Sequence, residues 1–495
     1  EKDAWRWRES TNRHEERKKK KNHRDGRRAL SRTSTSSHLL LSLLSSPQHQ
    51  VYDVSEFADR HPGGRVLLTY AGKDATDVFS AFHAPSTWPL LRPLLVGELA
   101  EEDASPAAGS LLADFRAMRA SFASRGLFRA SAAYYCFKVA STLSLAATAI
   151  AMLFLSKSGN NGSVSFLDAA ASAVTLGLFW QQAGWLAHDF CHQQVFQNRN
   201  TNNSIALFLG NVCQGFSVGW WKAKHNQHHA APNELDADTH RALDPDIDTL
   251  PLIAWSAEMV ETIAGGDLDS PMRKLVRAQH FYFIPVLLFA RLAWAQQAAT
   301  FAAGLWKEGG GVEEKNGKEG AEKKVVKKEN ENEEEDAVEG FARRRRAQAT
   351  LEVATLLAHY AWTLGLPLLA FGGNPLTTLL YVLAAQLACG LCLALVFVQS
   401  HNGMEVYSET KDFVSAQAAS TRDISPTVVS DWFTGGLNYQ LEHHLFPGMP
   451  RHNLGAVAPE VEALCLKHGL GYEVCSMPVG TKRVMVHLTK IAAAA

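Results

Sequence analysis

The chain has 495 residues, with 49 Lys and Arg against 50 Asp and Glu, and 46% hydrophobic residues against 20% charged. That length exceeds one small module and allows roughly two to four domains. The formal net charge of -1 excludes binding of nucleic acid through general basicity. Seven cysteines, spread from Cys136 to Cys475, form no ladder like that of a small secreted scaffold.

Glu1 to Arg32 is strongly basic, and residues 1–49 are expected to be disordered. No cleavable signal peptide is expected, because the apolar run His38 to Leu44 is too short for one. Residues 51–99 then read VYDVSEFADRHPGGRVLLTYAGKDATDVFSAFHAPSTWPLLRPLLVGEL. The informative pieces are His61-Pro62-Gly63-Gly64 and His83. Two neutral imidazoles on opposite faces of a haem make a low-spin iron that passes one electron with little rearrangement. Glycine beside such a ligand leaves room for the loop to lie against the porphyrin edge.

These residues resemble cytochrome b5. The resemblance implies a small α+β haem b domain over residues 50–103, with His61 and His83 as axial ligands. That family carries a further strand-rich segment, usually with a tryptophan, directly before the VYDV stretch. Here Ser- and Arg-rich sequence that is not strand-like stands in that place. The module is therefore expected to be incomplete at its start, with Asp3-Ala4-Trp5 as a remnant.

Four apolar stretches follow: residues 132–155, 164–186, 350–371 and 375–399. Each is about the 20 residues needed to cross a hydrocarbon core, and Leu379 to Val398 has no polar stripe. Residues 281–301 are broken by Arg291 and two glutamines. Lys307 to Arg346 is a dense mixture of both signs without an apolar pattern, expected to be a disordered loop. Its Arg343–Arg346 run favours the cytosolic side. An even number of crossings must separate it from a cytosolic 188–229 segment, so 281–301 is expected to be interfacial or re-entrant.

Histidine is the outlier, with 20 residues. His188 and His192 stand at i and i+4 just past the second span, on one helix face. His225, His228 and His229 repeat that spacing, and Gln440-Leu441-Glu442-His443-His444 does so with glutamine first. These seven imidazoles are too many for one metal and suit two. Imidazole serves zinc, copper and iron alike, so the ligands do not name the metal. The soluble di-iron bundle is excluded, because no histidine here has Glu three residues before it.

Residues 130–460 resemble the membrane fatty acid desaturases, through GWLAHDFCHQQVF (184–196), WWKAKHNQHHAAPN (220–233), DPDIDTLPLIAW (244–255) and DWFTGGLNYQLEHHLFPGMPRHNL (431–454). A haem domain fused to a Gln-x-x-His-His box is the pattern of the front-end subfamily, and the whole is closest in flavour to algal delta-6 acyl desaturases. The resemblance implies a mostly α, polytopic four-helix membrane domain over 104–495 with a cytosolic, histidine-rich di-iron cap. It makes His188, His192, His225, His228, His229, His443 and His444 iron ligands, with His401 as the best eighth and Gln440 as a weak ligand or an orienting residue.

Further expectations follow from that resemblance. The substrate is a lipid acyl chain and the oxidant is O2. Electrons come from NADH through a separate cytochrome b5 reductase, since no Gly-x-Gly-x-x-Gly fingerprint occurs here. The location is the endoplasmic reticulum membrane, and no nucleic-acid partner is expected. A sphingolipid long-chain-base delta-8 desaturase, a delta-5 or delta-8 acyl desaturase, and a non-catalytic haem carrier are the alternatives. Cys389 and Cys392 are read as packing, and Asp244, Asp246 and Asp248 as a turn near the active site. Arg451 and His452 are expected near the acyl headgroup or the haem-domain docking face.

Overall fold

The computed structural model describes residues 29–30, 40–45, 48–58, 61, 63–99, 109–159, 162–263, 269–319 and 329–495. At the N-terminus four strands form one sheet in the order β1 (Ala29–Leu30), β4 (Leu95–Leu99), β3 (Gln48–Asp53), β2 (Leu40–Ser45). β2 and β3 are an antiparallel hairpin whose register runs from Leu40 opposite Asp53 to Ser45 opposite Gln48. This corrects the expectation that no strand precedes Val51. The apolar run that is too short for a signal core is long enough for a strand, and pairing with β3 satisfies its backbone. The reading of Asp3-Ala4-Trp5 as a remnant falls outside the described residues.

Helix Thr76–Phe82 packs on this sheet and delivers His83 at its C-terminal end. The module is not a separate bead. Tyr52, Val54, Tyr70 and Val78 share one apolar core with Phe115 and Phe122 of helix Gly109–Ser124, and with Phe413 and Phe446. Arg116 of that helix donates two hydrogen bonds to Asp77, at 2.8 and 2.7 Å.

Four long helices then carry the chain: Ala132–Gly159, Phe166–Cys191, Glu329–Ala370 and Pro375–Ser400. Ser165 and Asn374 cap the second and fourth by accepting from Asp168 N and Thr377 N. Gly372 and Gly373, both at positive φ, make the turn between the last two. The second and fourth helices cross at Gly177, where a Cβ would stand 3.0 Å from both Ala385 O and Cys389 N. Small residues permit that approach, as in lipid-embedded helix pairs, and Cys389 is buried in the crossing and forms no disulfide.

Among the described residues three helices, Ala132–Gly159, Arg343–Ala370 and Pro375–Ser400, are long and apolar enough to cross a membrane. Leu155, Leu376, Leu379 and Leu380 are exposed on them. The expected span at 164–186 is helical from Phe166 onward, with Phe166 and Leu167 facing outward, and is not among these three. Its second half, from Phe179 to Cys191, is enclosed by the protein.

Residues 281–301 do not form one straight span. Helix Gln279–Leu287 ends, and a new helix starts at Ala290. Arg291 is buried there, donating to Gln386 Oε1 and Gln214 O, with its guanidinium 4.3 Å from the Trp180 ring centre. The expectation of a loop is corrected over 307–319 and 329–346, while 320–328 lie outside the described residues. Helix Ala290–Glu319 runs into the insert and helix Glu329–Ala370 runs out of it. Once packed turns have nucleated a helix, further Glu, Lys, Ala and Gln residues extend it at little cost.

Candidate metal centres

The histidine boxes lie on three short stretches of rigid backbone. His188 sits in the last turn of helix Phe166–Cys191 and His192 caps its end, donating its backbone N–H to His188 O at 3.0 Å. Helix Val218–Ala230 begins at Ser217, whose hydroxyl accepts from Trp220 N, and turns His225, His228 and His229 inward. Helix Gln440–Leu445 carries His443 and His444, and His401 caps helix Pro375–Ser400.

Folding sorts these eight into two groups. His188, His192, His225, His229 and His443 bring one nitrogen each to within 4.8 Å of one another, and so do His228, His401 and His444. Ring contacts join the groups, since His229 and His444 stack at 4.1 Å.

The outer nitrogens are anchored on acceptors. His228 Nδ1 lies 3.0 and 3.1 Å from the two Asp244 oxygens, and His401 Nδ1 lies 3.0 Å from Ser420 O. His444 Nδ1 stands 2.7 Å from Gln417 Oε1, and the amide of Gln417 is fixed in turn by donating to His229 O. His188 Nδ1 faces Asp189 Oδ1 at 3.4 Å. An oxygen acceptor at Nδ1 places the proton there and leaves the Nε2 lone pair pointing inward, the orientation of a metal ligand.

The inner nitrogens converge without enough protons to share. Nε2 of His225 lies 3.0 Å from Nε2 of His192 and 2.9 Å from that of His229. The corresponding distance is 3.1 Å for His443 and His229, and 3.3 Å for His228 and His401. His188 Nε2 and His444 Nε2 are buried with no hydrogen-bond partner among the described residues. Burial and neighbouring imidazoles hold His192, His225, His229, His443 and His444 well below the ordinary histidine range, hence neutral. Burial pushes His401 down to about 3. Burial also lowers His228, but the Asp244 and Asp246 carboxylates outweigh it and bring it to about 8.

In the five-imidazole group converging neutral lone pairs repel one another unless a cation lies between them, and in the smaller group the Asp244 and Asp246 carboxylates draw positive charge to His228. Five imidazoles in one group and three in the other, backed by carboxylate and carbonyl acceptors, therefore fit the expected pair of non-haem irons.

Gln440 stands beside the smaller group, its Nε2 3.0 Å from His401 Nε2 and its Oε1 buried without a partner. Arg451 is buried, donating from Nε to Asp189 Oδ2 at 2.5 Å and from Nη2 to Trp185 O. Tyr135 donates to the same carboxylate oxygen at 2.9 Å. A chain of contacts thus runs from Arg451 through Asp189 to His188. His452 accepts from Ser131 N at 3.0 Å and packs on Tyr134. Of the three aspartates, Asp244 and Asp246 approach His228. Gln417 and Ser420 give no sequence signal, because both belong to an otherwise plain helix, FVSAQAAS.

In the N-terminal module the His61 and His83 rings face each other with centroids 6.0 Å apart. His61 Nδ1 donates to Gly64 O at 2.9 Å and His83 Nδ1 to Phe79 O at 3.0 Å, which leaves both Nε2 atoms free. Burial lowers His61 and brings His83 to about 4. Gly63 is required by space, since a Cβ would lie 2.8 Å from His61 Cε1, and Gly64 by its φ of +76°. Two neutral imidazoles fixed in this way fit the axial positions of a haem.

Residues 166–311 and 335–476 match the fatty acid desaturase family. Residues 42–100 match the cytochrome b5-like heme/steroid binding domain, a stretch that takes in most of β2. An acyl-lipid (9-3)-desaturase from Physcomitrium patens is 42% identical over 449 residues, covering 90% of this chain and 75% of that protein. A delta(8)-fatty-acid desaturase from Euglena gracilis is 35% identical over 431 residues, covering 86% and 89%. A delta(6)-fatty-acid desaturase from Caenorhabditis elegans is 33% identical over 452 residues, covering 86% and 90%. The chain therefore belongs to the fatty acid desaturases, an oxidoreductase of the front-end group in which an N-terminal cytochrome b5 domain is fused to the membrane enzyme.

Proposed function

We propose that this enzyme introduces a cis double bond at carbon 6 of a lipid-linked polyunsaturated acyl chain. In balance, a CH2–CH2 unit, O2, two electrons and two protons give CH=CH and two water molecules. The electrons would come from NADH through a separate reductase, and a haem held by His61 and His83 would supply single-electron transfer. An unactivated methylene offers no acidic proton, so acid–base chemistry does not reach it, and two redox-active irons supply that capacity when bound.

The remaining roles fall to the chain. His188, His192, His225, His229 and His443 would hold one iron, His228, His401 and His444 the other, and His61 and His83 would hold the haem. Asp244, Ser420 and Gln417 fix the ring orientations, and Gln440 orients His401. Burial of all three boxes keeps water from the reacting carbons. The haem domain takes in β2 and β3 and runs to residue 103, and the desaturase domain covers residues 104–495, in the endoplasmic reticulum membrane with the haem and the boxes on the cytosolic side.

The observation that carries this reading is the convergence of eight imidazoles, seven of them buried, into two groups next to a bis-histidine pair. Position 6 draws on similarity to a relative named as a delta(6) enzyme, and the Euglena relative named as a delta(8) enzyme supports the alternative. The test is expression in yeast lacking polyunsaturated acids, fed linoleic and α-linolenic acids, with double bonds located by mass spectrometry. A new bond at carbon 6 is expected. A bond at carbon 5 or 8 retains the chemistry and refutes the position. A bond found only in sphingolipid long-chain bases refutes the acyl substrate.

A further inference from the structure

The helix that delivers the second axial imidazole ends on Phe82, and the next residue is His83 itself. The half-buried Phe82 ring meets His229 edge to face, with centroids 6.0 Å apart and planes at 85°. One residue is thus covalently joined to a haem ligand and in ring contact with a member of the five-imidazole group. The contact is held on both sides. Tyr70 donates its hydroxyl to the carbonyl of Ala230, the residue after His229, at 2.9 Å. Arg199 donates to the carbonyl of Phe82 at 3.4 Å, and Lys73 pairs with Glu234.

We propose that Phe82 is the bridge through which electrons pass from the haem to the di-iron centre, acting through His83 on one side and His229 on the other. In each transfer one ferrous haem iron becomes ferric and one ferric iron of the pair becomes ferrous. Two transfers in succession reduce both irons. Between them the haem is re-reduced by an external flavoprotein that draws on a reduced pyridine nucleotide, and no proton crosses the ring. Electron transfer across protein weakens steeply with each gap in the packing. The Phe82 ring, joined through the chain to His83, leaves no gap on the His229 side because the two rings are in contact. Because Tyr70, Lys73 and Arg199 hold the module by contacts independent of this ring, Phe82 can be changed without releasing the domain.

The inference rests on the proposed ligand roles of His83 and His229, and its test separates the two. The full chain, loaded with haem and ferric iron in lipid nanodiscs, is studied without oxygen or substrate. A flash-excited flavin reduces the haem, and decay of the ferrous haem absorption reports transfer to the irons, with an iron-free preparation as baseline. Phe82→Leu is expected to slow the decay by about tenfold or more, the scale on which small misplacements act at reacting centres. Phe82→Tyr is expected to keep the native rate, while haem spectrum, haem potential and iron content stay unchanged in both. Decay at the native rate in Phe82→Leu overturns the proposal. Equal slowing in Phe82→Leu and Phe82→Tyr also overturns it, by assigning the ring to docking alone. If Phe82→Leu loses haem, Phe82→Met, which fills similar volume without a ring, answers the same question. Absence of decay in the unaltered chain refutes the ligand roles themselves.

Discussion

Replacing Arg451 with methionine tests the buried contact behind the larger histidine group. Asp189 is 1% exposed and Arg451 6%, so the substitution leaves a carboxylate without its cation in the protein interior. Breaking such a pair from one side costs about 3–5 kcal/mol. The Tyr135 hydroxyl still donates to Asp189 Oδ2, which places the expected loss near the lower end, about 3 kcal/mol. At roughly 2 °C per kcal/mol for a large domain, the thermal midpoint falls by about 6 °C. Tryptophan fluorescence melts in detergent micelles measure it.

Adding Asp189→Asn removes the orphaned charge, so the double variant is expected to melt above Arg451→Met, with a coupling of about 2 kcal/mol. Iron behaves differently. Asp189 also faces His188 Nδ1, so Asp189→Asn weakens iron binding by about tenfold or more in both backgrounds. If the two stability losses simply add, the pair is not the unit described and the reasoning fails.

Other outcomes follow from the same geometry. Asp244→Asn takes the carboxylate from His228 Nδ1 and is expected to weaken iron binding by about 10–100-fold, read as iron per chain after dialysis against a chelator. His401→Ala is expected to retain one iron of two and to abolish product, and full retention of both irons would remove His401 from the ligand set. Gly63→Ala forces a Cβ against the His61 ring and is expected to lower haem occupancy, seen as a reduced Soret band in the purified chain. Acidification tests the haem site in another way. His83 is held at about 4 in the folded chain, against 6.5 for an ordinary histidine. The unfolded chain therefore binds the proton first, and stability from this group is present above pH 6.5 and lost as pH falls toward 4. Loss of stability of the haem-free chain that starts only below pH 4 would contradict this.

Local sequence settled what depends on short-range spacing. Histidines at i, i+3 and i+4 share a helix face wherever that helix is placed, so the three boxes were legible as candidate metal groups. Apolar runs of about 20 residues are helical whether lipid or protein surrounds them, which is why the four long helices appear where the hydropathy pattern puts them. His61 and His83 were legible because the glycines between them are demanded locally, one by its φ and one by the ring beside it.

The tertiary structure decided what depends on residues far apart in the chain. The partition of eight imidazoles into five and three is invisible in the boxes, because His228 and His229 are neighbours in sequence yet fall into different groups. Adjacent positions on a helix point about 100° apart, so each joins whatever packs on its own side. Arg451 finds Asp189 across 262 positions, a pairing fixed only when the helices come together. The strand Leu40–Ser45 likewise has little pattern of its own and exists because β3 offers it an edge. The contact of Phe82 with His229 is of the same kind: the sequence supplies a ring next to a haem ligand, and only the docking of one domain on the other gives that ring something to touch.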